Sequence, residues 1–263
     1  MSNESYANHI VDNARSTERL TTLELAEGVF SDFLELHGDR KFGEDAAIVG
    51  GIAKLNGKPV TIIGTQKGKD LKENIHRNFG SPNPEGYRKS IRLMKQAERF
   101  NRPVVTFINT SGAYCDIDSE DRGIGEAIAE SLLVMSQLRV PILSIFIGEG
   151  GSGGALALGM GNKVWMLENT MYSVLSPEGF ASILWKDSSR SKEAAEIMKL
   201  TPPNLLDLTV VDKVISETRR KVRLTKPELM NRIREEIEAA LEEMMAWTPD
   251  QVVQQRQERF RKF

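Results

Sequence analysis

The chain has 263 residues, 40% of them hydrophobic, with a formal net charge of −2 and one cysteine. That is enough chain for one large or two small domains, and it carries no overall basic field to attract nucleic acid. A single cysteine, Cys115, excludes an intrachain disulfide framework or a multi-cysteine zinc site. The first twenty residues are polar, and no apolar run approaches the roughly 20 residues that span a bilayer, so the chain reads as a cytoplasmic protein.

Residues 1–20 read as poorly ordered. Leu25, Val29, Phe33 and Leu36 recur at helical spacing and predict a helix over Thr21–Leu36, ended by His37-Gly38-Asp39-Arg40. Ala47–Leu55 and Pro59–Thr65 flank Asn56-Gly57 and predict a hairpin. Gly64–Ser81 is a long Lys-, Gly- and Asn-rich connection, either functional or mobile. Asn83-Pro84 opens a helix whose stripe is Tyr87, Ile91, Met94 and Ala97, with Arg88, Lys89, Arg92 and Lys95 largely elsewhere. Val104–Ile108 is a strand. The loop 109–118 follows, and Ser119 is placed to cap a helix carrying Ile124, Ile128, Leu132, Met135 and Leu138.

Downstream, Lys163–Leu167 and Met171–Leu175 are strand-like, and Ser176-Pro177 turns into a helix through Trp185. Ser191–Leu200 is helical until Thr201-Pro202-Pro203 breaks it, and Val210–Ile215 is a last strand. Thr225 and Glu228 form a capping box before Leu229, Ile233, Ile237, Leu241 and Met244. Polar, helix-prone sequence closes the chain. Alternating strands and helices predict an α/β core with right-handed crossovers.

Between Ile142 and Val164 lies the most unusual composition. An apolar run ends at Gly148, and Gly148–Gly154 holds five glycines in seven residues. A strand, a bare-backbone loop and a short helix follow from this, with unpaired N–H groups at the helix start. Gly148-x-Gly150-x-x-Gly153, with Glu168 about 20 residues on, matches a dinucleotide fingerprint, but the helix is short and the motif sits mid-chain. Gly150-x-Ser152-x-Gly154 matches a nucleophile elbow, but His9, His37 and His76 all lie upstream of Ser152. No Gly-Lys-Ser/Thr ends the run, which excludes a Walker loop. A site of backbone donors for an oxyanion needs no histidine, metal or nucleophile, and such donors are worth about 3–4 kcal/mol each. The alternative is that the glycines merely let a helix and strand pack closely.

Gly148–Gly159, Tyr172–Lys186, His76–Gly80, Pro84–Phe100 and Ala47–Val60 together resemble the carboxyltransferase α subunit of bacterial acetyl-CoA carboxylase. The likeness covers about Leu23–Ile215. It implies an α/β, crotonase-like superhelix of ββα units (46–220) between an N-terminal helical segment (1–45) and a C-terminal helical extension (221–263). It also implies transfer of a carboxyl group from carboxybiotin on a carrier protein to acetyl-CoA, giving malonyl-CoA. No side-chain base is needed, because the ureido enolate of biotin takes the methyl proton. Each enolate needs an oxyanion hole.

By resemblance, Gly153 and Gly154 form the hole facing biotin, Gly151 and Ser152 shape the approach, and Gly112, Ala113 and Tyr114 form the neighbouring loop. Lys67 and Arg77, with Lys69 and Lys72, are either contacts to CoA phosphates or a solvated loop. The resemblance implies a zinc-bearing β subunit that supplies the acetyl-CoA hole, with biotin carboxyl carrier protein, biotin carboxylase and an α₂β₂ assembly. No metal is expected in this chain. Members usually read DTPGAYPG where this chain has Asn109-Thr110-Ser111-Gly112-Ala113-Tyr114-Cys115-Asp116. The lost prolines predict a looser loop. A stand-alone crotonase-like acyl-CoA hydrolase or isomerase, or a catalytically weak scaffold paralogue, are the alternative readings.

Overall fold

The structure is a computed structural model and describes residues 5–263. The chain opens with a helix, α1 (Tyr6–Arg15), where disorder was expected. The Ser5 hydroxyl caps it, and Ile10, Val11 and Ala14 bury against Met171, Ala195 and Leu200. Its sequence is polar because only one narrow stripe faces the core; residues 1–4 lie outside the described residues. The helix expected over Thr21–Leu36 is α2 (Thr22–Val29), held by a Thr21–Glu24 capping box, and then a strand, β1 (Ser31–Glu35). Pairing of β1 along the edge of β2 (Ile48–Leu55), with Leu34 opposite Ile52, overrides the helical spacing of Phe33 and Leu36.

The Asn56-Gly57 turn joins β2 to β3 (Lys58–Thr65) in the predicted antiparallel register. The connection after β3 is not bare loop: it contains α3 (Leu71–His76) and a 3-10 turn at Asn78–Gly80. Helix α4 (Pro84–Arg99) begins at its proline and buries Tyr87, Ile91, Met94 and Ala97 as the pattern required. Lys89 departs from the pattern: it is fully buried, and its ammonium bonds Glu44 and the carbonyls of Asp45 and Ile48.

Strand β4 (Val104–Thr110) pairs with β3 in parallel. Ser119 does not cap the long helix. It lies inside a short one, α5 (Ile117–Asp121), capped by the Asp116 carboxylate, and Gly123 in the left-handed region then opens α6 (Ile124–Gln137). Strand β5 runs from Ile142 to Gly151, four residues past the end of its apolar run. It extends because β7 (Met171–Ser173) pairs with Glu149–Gly151. Helix α7 (Ser152–Gly159) follows, then β6 (Lys163–Leu167).

After β7, which ends two residues sooner than expected, come α8 (Pro177–Trp185), α9 (Ser191–Ile197) and α10 (Pro202–Asp207). The Thr201-Pro202-Pro203 break thus starts a helix as well as ending one, because proline suits the first helical turn. The last core strand, β8 (Lys213–Ile215), is followed by a small ribbon of β9 (Thr218–Arg219) and β10 (Val222–Arg223). Helices α11 (Lys226–Met245) and α12 (Pro249–Phe260) close the chain.

The sheet order is β1-β2-β3-β4-β5-β6-β8, with β7 branching from β5. From β3 onward the strands are parallel, so helices cover both faces. One face packs α2 and the apolar stripe of α11 against Val105, Phe107, Leu143 and Ile145. The other packs α4, α6 and α7 against Ile63, Ile108 and Phe146. The arrangement brings the loops after β3, β4 and β5 to one edge.

Candidate active site

Two loops meet backbone to backbone at the carboxyl ends of β4 and β5. A Cβ built on Gly151 would lie 2.0 Å from the Ser111 carbonyl oxygen. On Gly154 it would lie 2.4 Å from the Ala113 nitrogen, 2.6 Å from the Gly112 carbonyl carbon and 2.8 Å from Tyr87 Oη. On Gly148 it would lie 2.4 Å from Asn109 Oδ1. Glycine is required at these points by proximity, because any side chain would drive the loops apart. Gly153 differs: its nearest neighbour would be Ile128 Cγ2 at 3.8 Å. Gly148, Gly151 and Gly154 therefore permit close packing, as the plainer alternative held, and the space beside Gly153 is open.

The first loop is held without prolines. Thr110 Oγ1 accepts from Gly112 N at 3.1 Å and donates to Gly112 O at 2.8 Å, and Tyr114 N donates to Pro82 O at 2.9 Å. Gly112 sits at φ +148°, a conformation side chains rarely adopt. Asn109 Oδ1 accepts from Glu149 N at 3.0 Å, a task a carboxylate oxygen would perform equally. Between the fixed Gly112 and Tyr114 amides, Ala113 N–H has no acceptor among the described residues. Helix α7 opens at Gly151 with no side-chain cap, so among the described residues its first-turn N–H groups likewise have no acceptor. Ser152, at φ 56°, is exposed and marks the bend. Ala113, Gly153 and Gly154 thus present backbone donors from two adjoining loops.

A charged cluster braces this junction. Glu149, the one charged residue among the glycines, is buried; its carboxylate bonds Arg15 Nε and Lys67 Nζ, both at 2.9 Å. Arg15 also forks onto Glu178 at 2.9 and 3.1 Å. Helix α1, the loop after β3, the end of β5 and the start of α8 are tied together by four side chains. Burial pushes the Glu149 carboxyl up, and the Lys67 and Arg15 charges and hydrogen bonds more than offset it, leaving it below the ordinary range. The hydrogen bonds from Arg15 hold Glu178 down at about 2.

Of the residues singled out from sequence, Gly112, Ala113, Gly151, Ser152, Gly153 and Gly154 converge here, and Tyr114 projects, exposed, from the first loop. Lys67 lies beside them, but its ammonium is engaged by Glu149. Arg77 donates to Ala46 O at 2.9 Å and lies 3.9 Å from Glu73, so it fastens the loop after β3. His37, His76 and Cys115 are exposed and join no cluster at the junction. Sequence reasoning missed Arg15, Glu178, Tyr87 and Glu149; only Glu149, a lone carboxylate within the glycines, left a signal. A larger apolar cavity, about 590 Å³, lies at the opposite strand ends near Leu55, Pro103 and Leu241, away from these donors. Among the described residues no three His, Cys, Asp or Glu side chains gather as a metal site.

The family model for acetyl co-enzyme A carboxylase carboxyltransferase-like proteins matches residues 4–263. The carboxyl transferase subunit alpha of acetyl-coenzyme A carboxylase from Streptococcus gordonii is 59% identical over 254 residues, 97% of this chain and 98% of that protein. The chain belongs to this family. The same subunit of Streptococcus sanguinis is 58% identical over the same extent. Transcarboxylase 12S, solved with methylmalonyl-coenzyme A and methylmalonic acid bound, superposes with a TM-score of 0.69 at 20% identity over 88% of this chain, which spans 42% of that one. A Pseudomonas malonate decarboxylase hetero-tetramer gives 0.66 at 18% identity, covering 82% and 86%. These likenesses establish the fold: the α/β, crotonase-like architecture expected from the sequence is the one found. As a family member the chain is a carboxyltransferase subunit, an enzyme component that acts with a partner subunit. Among the described residues no helix is long and apolar enough to cross a membrane.

Proposed function

We propose that this chain supplies the biotin-facing half of a carboxyltransferase site. In this reading the carboxyl group of carboxybiotin, presented by the biotin carboxyl carrier protein, passes to the methyl carbon of acetyl-CoA, giving malonyl-CoA for fatty acid synthesis. The C–N bond of carboxybiotin breaks and releases CO₂. The ureido enolate left behind takes a methyl proton, and the acetyl-CoA enolate attacks CO₂. Negative charge accumulates on the ureido oxygen, and donors aimed at it lower the barrier by about 3–4 kcal/mol each. The observation that carries this reading is the pair of loops whose Ala113, Gly153 and Gly154 N–H groups have no acceptor among the described residues while their backbones are locked in contact.

Gly112 sets the first loop, Gly151 and Ser152 turn the chain into α7, and Tyr114 forms a wall of the approach. Lys67 and Arg77 act by holding the loop after β3 rather than by reaching for CoA phosphates, since both are already engaged. The second hole, for acetyl-CoA, and a zinc site belong to a β subunit, in an α₂β₂ assembly that works with biotin carboxylase in the cytoplasm. Mixing this chain with its β subunit, malonyl-CoA and biocytin tests the reading through the reverse reaction. Acetyl-CoA forms only when both subunits are present. Equal turnover by this chain alone would replace the reading with a self-sufficient acyl-CoA enzyme, and none from the mixture would remove it.

A further inference from the structure

Beside the glycine junction lies a polar cavity of about 220 Å³. It shares Asn109 and Ser111 with the first loop and extends to the link between α1 and α2. Its cationic side chains are Arg15, Arg19 and Lys67, and no Asp or Glu lines it. The carboxylates that balance these cations stand behind them: Glu149 and Glu178 on Arg15, Glu149 on Lys67, and Glu217 on Arg19. The lining therefore offers cationic donors to the cavity and keeps the carboxylates out of it.

Arg19 is the most constrained of the three. It is 4% exposed. Its Nη1 is gripped by both Glu217 oxygens at 2.7 and 2.6 Å and its Nε by Ile147 O at 2.8 Å, while Nη2 has no partner among the described residues. An unpaired buried guanidinium nitrogen is costly. Held rigidly through Nε and Nη1, the Arg19 guanidinium keeps Nη2 preorganised for an acceptor that arrives from outside. With Nε and Nη1 occupied, Nη2 is left to donate to one oxygen of an incoming anion.

We propose that this cavity binds the carboxylate group carried by the substrates of the transfer, next to the loop that receives the biotin carbonyl. This rests on the carboxyltransferase reading above and adds to it a subsite for the group in transit. The phosphates of coenzyme A are the other anions at hand, but the long pantetheine arm separates them from the reacting thioester. A cavity that shares Asn109 and Ser111 with the first loop is placed for the reacting end.

The purified full-length chain is melted in sodium malonate and in sodium chloride of equal ionic strength. Malonate raises the melting temperature in a dose-dependent way, and the rise is lost in Arg19→Lys, which keeps a cation for Glu217. Thr17→Glu places a carboxylate at the exposed rim of the cavity, without touching the buried pair, and abolishes the rise too. In the complex with the β subunit, either variant raises a Michaelis constant at least tenfold and leaves acetyl-CoA binding unchanged. If the constant that rises is that for malonyl-CoA, the product carboxylate is held; if that for the carboxylated carrier, the donor carboxylate is held. No malonate-specific stabilisation, no change in either constant, or equal weakening of acetyl-CoA overturns the inference. Loss of carboxyl transfer by the wild-type complex would sink the underlying reading, and the malonate melts would still decide whether the cavity binds carboxylates.

Discussion

Gly154→Ala adds one methyl group at the tightest point of the junction. The new carbon would stand 2.4 Å from the Ala113 nitrogen, against 3.4 Å for an ordinary contact. The obstructing atoms are backbone, fixed by the Thr110–Gly112 turn and the Tyr114–Pro82 bond. The two loops must therefore separate by about 1 Å, moving Ala113 N–H relative to the α7 donors. A displacement of that size costs about 100-fold in rate, close to 3 kcal/mol of barrier. Overpacking of this kind also costs about 1–3 kcal/mol of stability. Gly153→Ala is the control. Its methyl meets nothing closer than 3.8 Å, its N–H is retained, and alanine is favoured over glycine in helices by up to about 1 kcal/mol. Both variants are assayed with the β subunit for turnover of malonyl-CoA and biocytin, and by thermal melting. Gly154→Ala loses about 100-fold in kcat, and Gly153→Ala stays within tenfold of wild type with an unchanged or raised Tm. Wild-type kcat in Gly154→Ala, with a lowered Tm confirming that the methyl is felt, would refute the donor geometry.

Glu149→Gln leaves Lys67 and Arg15 facing a neutral amide; kcat drops at least tenfold with little change in acetyl-CoA affinity, because the carboxylate braces the loop without touching substrate. Arg256 on α12 is fully buried and donates to the carbonyls of Met135, Leu138 and Val140 and to Asn162 Oδ1. Arg256→Met strands these acceptors, and urea unfolding registers a loss of about 2–5 kcal/mol with the site chemistry intact in the folded fraction. Burial raises the Asp39 carboxyl, but N–H groups of Lys41, Phe42 and Gly43 and the Arg88 guanidinium outweigh it and hold it at about 2. Its folded value is depressed, so its stabilisation is complete above the usual 3.8 and fades as pH falls towards 2. The stability difference between wild type and Asp39→Asn therefore shrinks across that window, and a difference independent of pH would remove the assignment.

The hairpin at Asn56-Gly57, the α4 stripe and the capped α11 stripe were legible because local pattern and tertiary demand agree there. Elements set by distant partners were not. The edge of β2 drew Phe33 from helix into strand and left Leu36 just beyond the strand's end, and β7 drew Gly148–Gly151 out of the expected loop into β5. The glycines were readable as a special backbone, but their separate tasks depended on what each faces. Gly151 and Gly154 abut the first loop, and Gly153 faces open space. Arg15, Glu149 and Glu178 are far apart in sequence, and only the fold brings them into one cluster. Lys89 read as surface charge because nothing nearby foretells the Asp45 and Ile48 carbonyls that receive its ammonium inside the protein.

The central claim is that backbone N–H groups of this chain bear directly on the ureido oxygen of biotin. Infrared difference spectroscopy of biocytin carrying ¹³C at the ureido carbonyl, bound to the complex of this chain with its β subunit, measures that contact. The account predicts a lowered carbonyl stretching frequency on binding, restored towards the free value by Gly154→Ala. A frequency that does not move when biocytin binds to the wild-type complex would contradict it.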